Sequence, residues 1–246
     1  MSGNVLLVGP TSAIGRALAK ELATASCAMH LGGRNLVKTQ RIAADLSIRF
    51  QIPVSFSRFD ASAPETHASL ITDMQEQMGE PDVAVISIGE MGDQGNARSD
   101  LDHFKRIVDS NYLGVACLLA LLADGMEQSK SGRIAVISSV AGDRGRQSNY
   151  PYGSAKAGLN AYLAGLRQRL APNGVHVLTV KPGFVDTPMT FGKPGTFLVA
   201  SPEIVARRIA QAIEKREDIL YVPWFWRWIM LIIKLIPEPV FKRLRL

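Results

Sequence analysis

The 246-residue chain is 47% hydrophobic and 20% charged, ordinary globular proportions at a length that buries a substantial core, which excludes a disordered or fibrous polypeptide. Its formal charge of +6 is concentrated in residues 224–246, where Arg227, Lys234, Lys242, Arg243 and Arg245 face Glu238 alone, a distribution that speaks for a membrane surface and against a nucleic-acid groove. The two cysteines, Cys27 and Cys117, are too few and too far apart for a disulfide framework or a metal knuckle and fit a cytosolic protein.

The opening MSGNVLLVGP lacks the basic and long apolar stretches of a signal peptide and reads as a strand. From there short β-branched runs alternate with helical periods. The spacing predicts strands over 5–9, 28–32, 54–58, 83–88, 133–138, 176–181 and 219–222, and helices over 14–25, 36–49, 65–78, 101–127, 152–170 and 202–214. That alternation is the pattern of an α/β, Rossmann-type doubly wound parallel sheet of about seven strands with helices on both faces. No linker or repeat interrupts it before residue 223, and 224–246 stands apart as an apolar, basic tail. Such sheets bind ligands beyond the carboxyl ends of their strands, where the informative residues fall.

The first predicted strand runs through Gly9, Thr11, Ser12, Ala13, Ile14 and Gly15 into a helix. Backbone N–H groups at such a turn suit a pyrophosphate, and glycines permit its close approach. The second predicted strand ends at Arg34 with no carboxylate to hold a ribose 2′-hydroxyl. The planar fork of Arg34, assisted by Arg16, suits a 2′-phosphate instead, so NADP(H) is expected in preference to NAD(H), with NAD(H) left open. Farther on, Tyr152 and Lys156 lie one helical turn apart on one face. A phenol of pKa ~10 is a poor proton donor at neutral pH, and a nearby cation favours its phenolate. Ser139 ends the fifth predicted strand and Asn111 sits inside the long helix before it.

Asn111, Ser139, Tyr152 and Lys156 resemble, in order and spacing, the catalytic tetrad of the short-chain dehydrogenase/reductase family, and the likeness runs over residues 4–222. The turn at 8–15 resembles the family's TGxxxGxG, with Val8 and Ala13 in place of the threonine and the middle glycine. Ser87-Ile88-Gly89 stands where the family has Asn-Ala-Gly. The resemblance implies a catalytic domain over 1–223 in which Tyr152 is the general acid/base, Ser139 bonds the substrate oxygen, Lys156 lowers the tyrosine pKa and holds the nicotinamide ribose, and Asn111 positions a water. It also implies cofactor contacts at Asp60 and Ala61 for the adenine, at Ile88 and Gly89, and at Pro182, Gly183, Val185 and Thr187 beside the nicotinamide. Family members often form homodimers or homotetramers, and Gly153, Ala157, Gly158, Ala161, Ala164 and Gly165 would permit close helix contact.

Stretches 83–93, 141–149 and 229–246 further resemble one branch of the family, the reductase component of decaprenylphosphoryl-ribose 2′-epimerase, which implies a 2-keto sugar on a polyprenyl phosphate as substrate. Independently, Arg144 and Arg146 follow Ser139 closely enough to meet an anionic group on a substrate. The tail stretch 224–236 is too short to span a bilayer, which takes ~20 residues, and its Arg227 and Lys234 share one face of an otherwise apolar helix. That pattern suits a helix lying at the headgroups, as in a cytoplasmic protein held peripherally at the inner face of a membrane, or else an interface helix. Two other readings stay open: a reductase of long-chain ketones, and a catalytically silent NADP-binding redox sensor. The four histidines show no metal spacing.

Overall fold

The computed structural model describes residues 3–25, 27–188 and 198–244. Seven parallel strands form one sheet in the order β3-β2-β1-β4-β5-β6-β7. They are β1 (Asn4–Val8), β2 (Ala28–Gly33), β3 (Val54–Arg58), β4 (Val83–Ile86), β5 (Arg133–Ile137), β6 (His176–Pro182) and β7 (Ile219–Val222). β1 pairs with both β2 and β4, so the crossovers reverse direction between β1 and β4 and open a crevice at their carboxyl ends.

Side chains alternate across the pleat and supply two cores. Val5 and Leu7 face α1 (Ala13–Ala23), α2 (Leu36–Phe50) and α7 (Pro202–Glu214), with Leu18, Leu22, Leu46 and Ile209 against them. Leu6 and Val8 face α3 (Glu65–Met78), α5 (Gly114–Ser129) and α6 (Tyr150–Leu170), meeting Leu70, Met74, Leu118 and Leu163.

The departures from the predicted elements fall where ligands would. The fourth and fifth strands stop at Ile86 and Ile137; one more bond follows each, from the Ser87 N–H to the Val8 carbonyl and from the Ser138 N–H to the Val180 carbonyl, and Ile88, Gly89 and Ser139 beyond them line the crevice. The helix predicted over 101–127 is broken into α4 (Leu101–Val108), a π-turn at Asp109–Leu113, and α5. The extra residue of that turn accompanies a close approach: a Cβ on Gly114 would stand 2.0 Å from the Ala61 carbonyl oxygen. π-turns of this kind recur at functional sites, and this one carries Asn111.

The tail packs one face against the rest of the chain. It forms α8 (Trp226–Leu235) and α9 (Glu238–Phe241). Trp226 and Met230 are fully buried with Val140, and Phe184 and Tyr221 pack around them. The opposite face of α8 is apolar and open, with Trp228 56%, Ile232 65% and Leu235 73% exposed. Arg245 lies outside the described residues.

Candidate active site

At the end of β1 the chain turns at Gly9, whose φ is +88° and where a Cβ would sit 2.3 Å from the Ser87 carbonyl oxygen. Ser12 caps α1: its Oγ accepts from the Gly15 N–H at 2.9 Å and donates to the Gly9 carbonyl at 3.0 Å. A Cβ on Gly15 would stand 2.1 Å from the same carbonyl. The result is a tight turn leading into a helix N-terminus, closed on one side by Ser87, whose Oγ lies 3.1 Å from that of Ser12.

Two cavities meet over this turn. One of about 210 Å³ is lined by Gly9, Thr11, Ser12, Gly33, Arg34, Asp60, Ala61, Ile88 and Gly89. Arg34 is exposed at its far end, and Asp60 is fixed by Thr66, which accepts from its N–H at 3.0 Å. The other, of about 380 Å³, shares Thr11, Ser12, Ile88 and Gly89, adds Ala13 and Ile14, and reaches Ser139, Tyr152, Lys156, Pro182, Gly183, Val185 and Thr187. The residues expected to hold a dinucleotide therefore line one continuous trough across the strand ends. Its glycine-tight turn, the helix N-terminus and the cation at one end fit a pyrophosphate and a 2′-phosphate.

Ser139, Tyr152 and Lys156 line the inner cavity, and Asn111 lies behind them, its Oδ1 3.2 Å from where a Cβ on Gly89 would stand. Lys156, 1% exposed, donates to the carbonyls of Ile137 at 3.1 Å and Ile88 at 3.3 Å, and its Nζ lies 5.8 Å from the centroid of the Tyr152 ring. Asn111 is fully buried; its Nδ2 donates to the Glu90 carbonyl at 2.6 Å and the Ile107 carbonyl at 2.8 Å, while its Oδ1 accepts from the Glu90 N–H at 3.2 Å. The π-turn is what lets one side chain tie the strand-end loop to α4.

Burial pushes the Tyr152 phenol up to about 12, opposed by a hydrogen bond with Ser139 that favours the phenolate. Burial likewise brings the Lys156 ammonium down to about 7. Desolvation is the largest influence on both groups, and for the phenol it is opposed by Ser139.

The two arginines after Ser139 part company. Arg146 lines the inner cavity. Arg144, expected beside a substrate, turns away and is spent on the tail, donating to the Ile236 carbonyl at 2.7 Å, to the Ile233 carbonyl and to Glu238 at 2.9 Å, with its guanidinium 3.6 Å from the Phe241 ring centroid. It thereby satisfies carbonyls that the end of α8 leaves open.

Sequence reasoning missed the supports of this site. Ser138 donates to Asn160 at 2.7 Å. Asp143 accepts from Lys181 at 2.6 Å and from Tyr221 at 2.7 Å, pinning the loop after Ser139 to β6 and β7. These partners are 22, 38 and 78 positions apart, so no local spacing signals them. Trp226 was legible only as an apolar tail residue, yet it stands against Gly183 beside the trough.

Comparison with known proteins places this geometry. The family model described as short chain dehydrogenase matches residues 3–194. An uncharacterized oxidoreductase of Mycobacterium tuberculosis is 37% identical over 240 residues, covering 98% of this chain and 96% of the relative. Among solved structures, a short-chain dehydrogenase from Sphingobium yanoikuyae in complex with NADPH superposes with a TM-score of 0.82 at 22% identity, over 99% of this chain and 96% of that one. A single-residue variant of the actinorhodin polyketide ketoreductase with NADPH gives 0.81 at 23% identity, over 90% and 95%. With these likenesses the trough, the turn and the tetrad have one reading: the chain belongs to the short chain dehydrogenase family and is an NAD(P)-dependent oxidoreductase.

Proposed function

We propose that the protein interconverts a ketone and a secondary alcohol with NADP(H), Tyr152 exchanging the proton at the substrate oxygen. The observation that carries this is the meeting of Ser139, Tyr152 and Lys156 in the wall of one cavity, at the inner end of a trough that begins at the glycine turn. In the reductive direction Ser139 orients the carbonyl oxygen and Tyr152 releases its proton to it. Lys156 and Asn111 then set the electrostatics of the phenolate left behind. Bound NADPH would supply the hydride. The turn 9–15 would receive its pyrophosphate, Arg34 its 2′-phosphate, Asp60 and Ala61 its adenine, and the 182–187 segment its nicotinamide. Tyr152→Phe should leave less than about a tenth of kcat when chemistry limits the rate, with NADPH affinity within a few fold. A variant that retained more would assign the proton to another group.

The substrate is, in this reading, lipid-borne, and the tail rests on the bilayer that carries it. Supporting this, α8 buries one apolar face and keeps another exposed through Trp228, Leu231, Ile232 and Leu235. Exposed Arg227, Lys234, Lys242 and Arg243 surround that face, a pattern suited to headgroups. A 2-keto sugar on a polyprenyl phosphate fits both this surface and the resemblance of the tail; a long-chain ketone is the runner-up. Sedimentation with anionic liposomes tests it. The intact protein should pellet and a Trp228→Glu, Ile232→Glu variant should stay in solution, whereas equal behaviour of the two leaves the tail without a membrane role. Ala157, Ala161, Ala164 and Gly165 lie exposed along α6 beside Leu113 and Leu121 of the preceding helical segment, and homodimer formation through that stripe completes the proposal.

A further inference from the structure

The catalytic side chains are hydrogen-bonded, while the polar side chains just outside them are not. Lys156 and Asn111 spend donors on main-chain carbonyls, and Ser139 Oγ accepts from the Ala141 N–H at 3.1 Å. On the outer side of Tyr152 stand Arg146 and Asn149, in the wall of the inner cavity. Gln94 occupies an adjoining hollow that shares Met91, Asn149 and Tyr152 with that cavity. Arg146 Nε, Asn149 Oδ1 and both polar atoms of the Gln94 amide are sealed from solvent without a hydrogen-bond partner among the described residues.

Arg146 is the telling member. Its hydrogen bond among the described residues is to the Met230 thioether, 3.9 Å from a terminal nitrogen, and a thioether is a weak acceptor. Asp143 lies near enough to act on it electrostatically, but both carboxylate oxygens of Asp143 already accept from Lys181 and Tyr221. An unpaired buried polar atom is costly, and an unpaired buried charge more so. In and beside a cavity lined also by Met91, Val140 and Phe184, such atoms mark where a ligand supplies the missing partners.

We infer that the carbonyl substrate carries an anionic group, a phosphate or a carboxylate, that lies against Arg146, next to a hydroxyl whose proton Asn149 Oδ1 accepts. This deepens the carbonyl-reductase reading and rests on it. Arg146 is then a specificity-determining residue, and it is set at the point where the tail meets the cavity.

Two substrate pairs differ in charge at a similar ketone: dihydroxyacetone phosphate with dihydroxyacetone, and acetoacetate with its ethyl ester. Values of kcat/KM with NADPH are to be measured for the wild type, Arg146→Met and Arg146→Lys, each first checked for a native thermal transition. The wild type should favour the charged member of one pair by at least about tenfold, and which pair shows it tells phosphate from carboxylate. Arg146→Met should bring that ratio to within about twofold, and Arg146→Lys, which keeps the charge but not the fork, should fall between. A wild type indifferent to charge, or an Arg146→Met variant that slows both members alike and leaves the ratio unchanged, overturns the inference while sparing the reductase reading. If none of the four ketones is reduced, binding replaces turnover as the readout. Calorimetric titration of the NADP-saturated protein with glycerol 3-phosphate and 3-hydroxybutyrate then decides the subsite. Binding of either that weakens at least about tenfold in Arg146→Met supports it, and equal or undetectable binding to both proteins overturns it.

Discussion

Replacing Gly183 by alanine drives a methyl group into the tail helix. The new Cβ would lie 1.9 Å from Trp226 Nε1, 2.1 Å from Cε2 and 2.3 Å from Cδ1, far inside van der Waals contact, and Trp226 is 2% exposed with no free side to which it can retreat. Overpacking of this kind costs about 1–3 kcal/mol. For a domain of this size that lowers Tm by about 2–4 °C for each kcal/mol. Trp226→Ala alone should cost about 3–5 kcal/mol, through lost burial and the cavity left behind. The two changes should not add, because the space vacated by the indole accepts the methyl: the double variant should be more stable than the sum of the singles predicts by at least about 1 kcal/mol. Urea unfolding followed by circular dichroism gives all three free energies. Additive losses, or a Gly183→Ala variant as stable as the wild type, would show that the segment beside the nicotinamide site and the tail are not packed as one unit.

Arg34→Ala should cut the preference for NADPH over NADH by at least about tenfold, the worth of a charge-assisted contact to phosphate, as read by fluorescence titration with each nucleotide; a wild type that binds both equally makes Arg34 a surface residue. Lys156 titrates near 7 in the folded protein against 10.5 for the free side chain, so between these values the unfolded chain holds a proton that the native state lacks. Stability without nucleotide should therefore rise from pH 7 towards pH 10, and Lys156→Met should remove that part of the rise, as followed by urea midpoints across the range. Equal slopes in the two proteins would place a charged lysine at the Lys156 position throughout.

The alternation of strand and helix was legible because β-branched runs and amphipathic periods are local properties, and the strands and helices named from them match the observed elements to within a few residues. Strand ends were less so. Nothing in the composition of Ser87-Ile88-Gly89 says where pairing stops; its last bond runs from the Ser87 N–H to the Val8 carbonyl, beyond which β1 gives way to the turn at Gly9. The stretch 101–127 likewise reads as one long helix, and the π-turn that carries Asn111 comes with a close approach of Gly114 to Ala61, which are remote in sequence.

Chemistry that depends on close spacing was already written in the chain: the phenol and ammonium one turn apart, the serine after the fifth strand, and a glycine turn entering a helix. What burial and distant partners do to those groups was settled by folding. The fold set Arg144 on the tail carbonyls and Arg146 in the cavity wall, although the two are separated by one glycine, because they meet the tail at different places: Arg144 at the open end of α8 and Arg146 at Met230 in its middle. It raised the Tyr152 phenol and lowered the Lys156 ammonium, since desolvation depends on the whole surround rather than on the neighbour four positions away. And it divided the tail into a face buried under Trp226 and Met230 and a face left to solvent, a distinction that an apolar stretch with two cations does not contain until the rest of the fold is there to pack against it.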